Sequence, residues 1–402
     1  MTYLPLRRRA RAFALACPFL LAAPLVSHTA LAFDASGNQV ADTFMEILEA
    51  GNATISGYDG VSGSGGDVVI TGLRASVDDN GKTSDLTIAE TSIAGGSVDA
   101  EGKLSADTMT MTDVAIDDTD GKDKVNARVA RVAIVKPVLP SAASVKAKAS
   151  TDAIAPGYSS AELTGIVVET EDQGTIPIAR ASAVVDRMDG DLPTAGSLSL
   201  EGVEVSAEAL DEDERKTLTD LGYDKVMLSL QMEIDWDPAS GTLNIEKLTL
   251  AGENAATINA TLRINGLTRE VVQQLDAAQD NPEKAMGLMQ GLLVESLTLR
   301  IDNGSLVDRL LDNQAKEAGA TREEFVQQLT GALPFMLSMI NNPGFQKKVA
   351  AAATTFLNDP KSLSATAMPS APVPFAQVLG TAMMAPQTLP DILGVTITAN
   401  EN

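Results

Sequence analysis

From Val226 to Trp236 the even positions are all apolar: Val226, Leu228, Leu230, Met232, Ile234 and Trp236. Ser229, Gln231, Glu233, Asp235 and Asp237 hold odd positions between and after them. Period-two alternation of this kind predicts a strand with one buried and one wet face. Pro238-Ala239-Ser240-Gly241 then supplies turn chemistry, with Pro presetting φ and Gly accepting the positive φ of a tight reversal. Leu243 and Ile245 begin the return, and the phase slips at Glu246-Lys247 before Leu248 and Leu250 resume it, which predicts a bulge. After the turn signal Gly252-Glu253-Asn254, the residues Ala256, Ile258, Ala260, Leu262 and Ile264 alternate again. Three antiparallel strands are expected, each long enough to span roughly 30 Å. Together they offer one broad apolar face that something must cover.

Upstream, Val40, Phe44, Ile47 and Leu48 fall on one face of a helix over Gln39–Ala50, which Gly51 stops. A repeated pattern follows in Val68-x-Ile70-x-x-Leu73-x-Ala75. It recurs from Leu86 to Ile93, Met109 to Ile116, Ala127 to Ile134 and Leu198 to Val205. Two alternating pairs separated by one extra residue predict a strand that bends or bulges at its middle. Turn signals such as Asp79-Asn80-Gly81 and Asp120-Gly121 between copies predict a meander or stacked repeat. Pro137 to Pro156, rich in Pro, Ala, Ser and Lys, reads as a linker or crossover. Strands are expected near Glu162–Glu169, Ile176–Val185 and Ser197–Val205, then a short acidic helix capped near Ser206 and ending at Gly222.

After Thr268 the period changes from two to 3.6. Val271, Val272 and Leu275 open a helix, and Asn281-Pro282 caps another that carries Met286, Leu288, Met289 and Leu292. Leu297, Leu299 and Ile301 form a strand, after which Ser305 with Asp308 is expected to cap a helix ended by Gly319. Thr321-x-x-Glu324 is a capping box before a wide stripe that includes Phe325, Leu329, Leu333 and Met336, with a kink expected at Pro334. Asn342-Pro343 caps the next helix. A proline-rich segment, a short Met383-Met384 helix and a strand at Val395–Ile397 close the chain. These helices are the natural cover for the sheet's apolar face.

The expected class is therefore α+β, a mainly antiparallel, curved or groove-like sheet with a helical C-terminal third packed on one face. The expected regions are a signal peptide over 1–32, a helix and β-repeat region over 33–140, and a linker or crossover over 141–157. A β-meander over 158–266 and a mainly helical region with closing strands over 267–402 follow. The leader rests on Arg7, Arg8, Arg9 and Arg11, the apolar run Phe13 to Val26, and the A-x-A site Ala30-Leu31-Ala32. Cleavage after Ala32 implies export to the periplasm and no membrane span afterwards.

The chain of 402 residues carries 30 basic and 54 acidic residues. The leader removes four arginines and no acid, so the remainder is more acidic still. That balance repels nucleic acid and anionic head groups. The single Cys and single His, Cys17 and His28, both lie in the leader. Ser-His-Asp and Cys-His catalysis and ordinary zinc sites are thereby excluded, and no cofactor is implied. Acidic turns remain as candidates for a hard cation or a carboxylate hydrolase: Asp117, Asp118, Asp120 and Asp123, then Asp186, Asp189 and Asp191. Asp235, Asp237 and Glu246 hold the first, third and twelfth positions of a calcium loop, but Ala239 and Ser240 break its pattern. Uneven strands, no aromatic girdle and the helical last third argue against an outer-membrane barrel.

The strand style of Leu198-Ser-Leu200-Glu-Gly-Val203-Glu-Val205, the Leu221-Gly-Tyr223 lead-in and the hairpin Trp236-Asp-Pro-Ala-Ser-Gly-Thr-Leu243 resemble AsmA-like periplasmic proteins of Gram-negative bacteria. The likeness extends over residues 60–300. It implies grooved β-sheet and a role in envelope lipid homeostasis. That family keeps an N-terminal anchor and lacks a helical last third, so no functional residue is carried over.

Methionines at 286, 289, 336, 339, 383 and 384 lie on helices expected to face the sheet, and Met suits surfaces that accept varied apolar ligands. The expectation is a non-enzymatic protein holding lipid or another apolar ligand between sheet and helices. Its candidate binding residues are Met232, Ile234, Trp236, Ile258, Leu262, Met286, Met289, Leu333 and Met336, with no metal site. A structural or protein-binding envelope component is the alternative, and a carboxylate or calcium-dependent hydrolase the third.

Overall fold

The computed structural model describes residues 33–401 apart from 80–81, 119–123, 148–156, 171–173, 191 and 279–280. The expected leader, Asp120, Asp123, Asp191 and most of the expected linker lie outside the described residues. The chain forms two compact units, one running to Pro193 with Ser199–Glu212, the other comprising Thr194–Leu198 and Asp213–Asn402.

In the first unit, helix α1 (Gln39–Ala50) precedes β1 (Ala53–Gly57), β2 (Gly60–Ser64), β3 (Asp67–Asp79) and β4 (Lys82–Ala94). Next come β5 (Ser97–Val98), β6 (Leu104–Ser105), β7 (Thr108–Asp118), β8 (Val125–Val135), β9 (Val138–Leu139) and α2 (Ala142–Ala147). Strands β10 (Ser160–Thr170), β11 (Gly174–Asp189) and β12 (Leu192–Ser206) follow. The sheet order is β1-β3-β4-β7-β8-β10-β11-β12 with β2 on β3, while β5-β6-β9 form a small second sheet. Antiparallel β8 and β10 pair directly from Ser160↔Val135 to Thr170↔Val125. The segment 141–157, expected as a linker or crossover, lies between these two strands in sequence, and Ala142–Ala147 within it forms α2.

Asn38 starts α1 by accepting from the N–H groups of Val40 and Ala41. Its apolar side carries Phe44 and Met45, which are 1% and 0% exposed, and packs on β1 and β3 and against α2. Opposite lie the repeat residues Val68, Ile70, Leu73 and Ala75, with Ile88, Ile93, Met109, Met111, Val114, Val129 and Val132, all buried. This is a closed core, and its burial is the main favourable contribution to the unit's stability.

The extra residue has a left-handed backbone in the copies that start at Val68, Met109 and Leu198, and is an alanine in those that start at Leu86 and Ala127, while Gly165 in β10 repeats the first form. Gly72, Asp113, Gly165 and Gly202 have φ of 62°, 48°, 62° and 64°. The register continues unshifted past each described step, from Thr71↔Glu90 to Leu73↔Ile88 and from Thr164↔Arg131 to Ile166↔Val129. Gly72, Ala89, Asp113, Ala130, Gly165 and Ala179 thus fall in one line across the strands. The expected bulge is instead a matched skip in both partners, so residues three apart, such as Ile70 and Leu73, return to the same buried face. A Cβ built on Gly165 would stand 2.8 Å from the Ala130 Cβ, and one on Gly202 2.8 Å from the Ala179 Cβ. Alanine opposite a left-handed glycine is what lets the backbones meet there. Asp113 holds that conformation with a Cβ. Asp113→Gly is expected to raise stability by about 0.5–1 kcal/mol, read as a higher urea midpoint at unchanged slope.

The second unit opens with α3 (Glu212–Asp220) and contains β13 (Lys225–Asp237), β14 (Thr242–Gly252), β15 (Ala256–Asn265), α4 (Arg269–Asp276), α5 (Pro282–Met289) and β16 (Leu293–Asn303). Then come α6 (Leu306–Glu317), α7 (Arg322–Leu337), α8 (Pro343–Asn358), β17 (Ser362–Ala367), β18 (Val373–Pro374), α9 (Phe375–Met384), α10 (Leu389–Ile392) and β19 (Val395–Ala399). The order is β13-β14-β15-β16-β17-β19 with β18 on β16. The class is α+β, with antiparallel sheet dominant and most helices in the C-terminal part.

The bulge expected at Glu246-Lys247 is present: Glu233 pairs with Lys247 and Ile234 with Ile245. A second one skips Glu295, since Arg263 pairs with Ser296 and Ile264 with Val294. The caps at Asn281, Thr321 and Asn342 form as expected, the box at Thr321–Glu324 with both of its hydrogen bonds. Two expected caps do not. Ser206 makes no capping bond, because a 3₁₀ turn at Ala207–Ala209 intervenes before α3 begins at Glu212. At α6 the Asn303 side chain, not Ser305, accepts from the Val307 N–H at 2.9 Å. The Ser305 hydroxyl donates to the Asn254 carbonyl at 2.5 Å and meets the Tyr223 hydroxyl at 2.9 Å. Arg309 stacks over the Tyr223 ring, 4.1 Å from its centre, and donates to the Leu221 and Gly222 carbonyls. Burial pushes the Asp308 carboxyl up, but hydrogen bonds from Arg322 at 2.5 Å and Asn303 at 2.7 Å outweigh it and hold the group below its ordinary range. Asp308 thereby ties α6 to the start of α7.

Candidate functional site

Register places the apolar residues of strands β13–β19 in rows. One row is Met232–Leu248–Ala260–Leu299–Ala365–Ile397. On one side of it runs Leu230–Leu250–Ile258–Ile301–Leu363–Ala399, and on the other Ile234–Ile245–Leu262–Leu297–Ala367–Val395. A shorter row, Trp236–Leu243–Ile264–Val294–Val373, closes one end. Both bulges keep these rows on one face: Ile245 and Leu248, like Val294 and Leu297, are three apart yet point the same way. Six strands at the usual spacing give a face about 24 Å across.

The face is not closed. Leu250, Leu297 and Leu299 are 43%, 42% and 43% exposed, and Ile258 is 38% exposed. Only its corners are sealed, by Trp236, Ala367 and Val373. The Trp236 indole N–H donates to the Leu267 carbonyl at 2.6 Å, which fixes the ring at its corner. Ala260 and Ala365 flank Leu299 in the middle row and leave low points on either side of it. The opposite face is polar and internally paired. Arg263 meets Glu295 at 2.9 Å, Arg300 meets Asp302 at 2.8 Å, and Asn259 bridges Thr249 to Asp302.

Of the expected binding residues, Met232, Ile234, Trp236, Ile258 and Leu262 share this face. The helical ones do not close over it. Met286, Met289 and Met336 are exposed, and Leu333 is half-buried. Met339, Met383 and Met384 stand almost free in solvent at 91%, 85% and 89%, rather than facing the sheet. The helices pack mainly on each other, α7 against α6 and α8, and α8 reaches the sheet at β17 and β19. The sequence reading missed β17, which is built from Ser, Ala and Thr around one Leu and carries the row ends Leu363, Ala365 and Ala367.

Among the described acidic candidates, Asp117, Asp118 and Asp237 have partners within the fold. Asp117 pairs with Arg128 at 2.6 Å, and Asp118 accepts from Ser84 at 3.1 Å. Asp237 accepts from Ala239 N–H and Ser240 hydroxyl, closing its own turn. Among the described residues no group of three or more acids, His or Cys is placed to hold a metal ion. None of the described helices is long and apolar enough to cross a membrane.

A protein-family model whose description reads only "Uncharacterized protein" matches residues 249–400, from the end of β14 through β19. No curated protein matches the chain.

Proposed function

We propose that the protein is an exported envelope component that holds an acyl chain or similar apolar ligand on the open face of β13–β17 and performs no chemistry of its own. The observation that carries this reading is the half-exposure of Leu250, Ile258, Leu297 and Leu299 in adjoining rows, in the same chain that seals Ile70, Leu73, Met109, Met111 and Val132 completely beneath α1. An apolar surface this continuous costs free energy in water, and each methylene laid upon it returns about 0.8 kcal/mol. The likeness to AsmA-like proteins supports the same assignment, as does the leader. Strong acidity favours recognition of tails over anionic head groups.

Native mass spectrometry of protein taken from its own host is expected to show a bound lipid-like mass. Ala260→Trp fills the low point beside Leu299. It is expected to leave stability within about 1 kcal/mol, because the site is open, and to reduce the bound fraction at least tenfold. Bare protein across several gentle preparations, or a strongly destabilised Ala260→Trp, would overturn the reading and show a packed or idle face.

A further inference from the structure

The second unit carries another apolar surface, away from hydrogen-bonded sheet. At the end of α7, Phe335 and Met336 are 82% and 58% exposed, with Met339 beyond them in the following turn; Met383 and Met384 end α9. The Asn342 side chain joins these two segments, donating to the Gln387 carbonyl at 3.0 Å and to the Asp391 carboxylate at 2.9 Å. Met339 and Met384 each lie three residues from that tie.

Charge sets the surface apart. In a chain with 21% charged residues, none occurs from 325 to 346 or from 362 to 390. The first run is followed at once by Lys347 and Lys348, both exposed. Large flexible apolar side chains, a single carboxylate at the tie, Asp391, which the Asn342 amide holds, and lysines at the margin match the interfacial region of a bilayer, where ammonium groups reach phosphates while apolar side chains enter the acyl boundary. A second copy fits less well, since two strongly acidic chains repel each other.

We propose that the ends of α7 and α9 form a tip that inserts into the surface of a lipid bilayer. The proposal goes beyond the ligand reading and stands if the open sheet face proves empty. The tip touches the membrane without spanning it and brings the second unit to a source of acyl chains.

The test is flotation of the full chain, exported by a Gram-negative host and with its intact mass recorded, with vesicles of phosphatidylcholine alone or mixed with phosphatidylglycerol. Wild type is expected to float with the vesicles. A variant combining Phe335→Asp, Met339→Asp, Met383→Asp and Met384→Asp is expected to lose at least tenfold in partitioning. Its urea midpoint, and quenching of Trp236 by a brominated fatty acid, are expected to match wild type, which separates this surface from the sheet face. Serine at the same four positions provides a milder set should the aspartates disturb folding. Wild type that stays with the unbound fraction, or substituted protein that floats equally well, overturns the proposal. So does a concentration-dependent dimer that the substitutions abolish without any flotation, which would assign the tip to a second copy.

Discussion

Gly165→Val is expected to lower the stability of the first unit by about 4 kcal/mol. The backbone there has φ of 62°, where a side chain costs roughly 1–2 kcal/mol and a β-branched one more. The new Cβ would also stand 2.8 Å from that of Ala130, in the middle of a sheet where neither strand can yield, and overpacking of this kind costs about 1–3 kcal/mol. The two contributions separate experimentally. Gly165→Ala combined with Ala130→Gly removes the clash and keeps the backbone strain, so about half the loss should return. Urea unfolding followed by circular dichroism reports it, while fluorescence of the one tryptophan, Trp236, follows only the second unit. A Gly165→Val protein within about 1 kcal/mol of wild type would mean that the line of alternating glycine and alanine is not what aligns these strands.

The second large effect contrasts the two units. Ile70 is 0% exposed between Val61 and Thr91, and Ile70→Asp places an unpaired carboxylate in that core. Loss of packing and burial of a charge together exceed about 4 kcal/mol, so the first unit should fail to fold. The same change at Leu299, on a strand of similar length and also flanked on both sides, should cost less than about 1 kcal/mol, because water already reaches that side chain. Leu299→Asp should nonetheless abolish the bound mass. Equal destabilisation by the two substitutions would show that the second face is a core like the first.

What could be read from the residues follows the range of the interactions involved. Caps at Asn281, Thr321 and Asn342 were legible because donor and acceptor lie three residues apart. The Ser305 cap was misread because its hydroxyl is claimed by Asn254 and Tyr223, which are 51 and 82 residues away in sequence. Alternation located β13, β14 and β15 and the bulge at Glu246, since side-chain period is a local property. It could not say whether the apolar face is covered, which depends on where α7 and α8 pack. Alternation therefore put Met232, Ile234, Trp236, Ile258 and Leu262 on one face, as the register has them. The helical half was assigned on the assumption that an apolar stripe must meet the nearest apolar sheet, and Phe335 and Met339 show that it need not. Strand β17 was hidden because Ser362–Ala367 is poor in the β-branched residues by which strands are recognised.

The order of strands bears on how the chain comes to be folded. From β3 to β12 in the first unit, leaving aside the small β5-β6-β9 sheet, each long strand lies beside its predecessor. The same holds from β13 to β17 in the second. Most steps in either run close a short connection and loop closure stays inexpensive there; the exception is β17, which reaches β16 only after α6, α7 and α8. A polypeptide emerging from a translocation pore N-terminus first could add hairpin to hairpin as it appears, each new strand shielding the edge left by the one before. Pulse-labelled hydrogen exchange during refolding would then show protection spreading from α1 and β3 toward β12, rather than arising at once across the sheet.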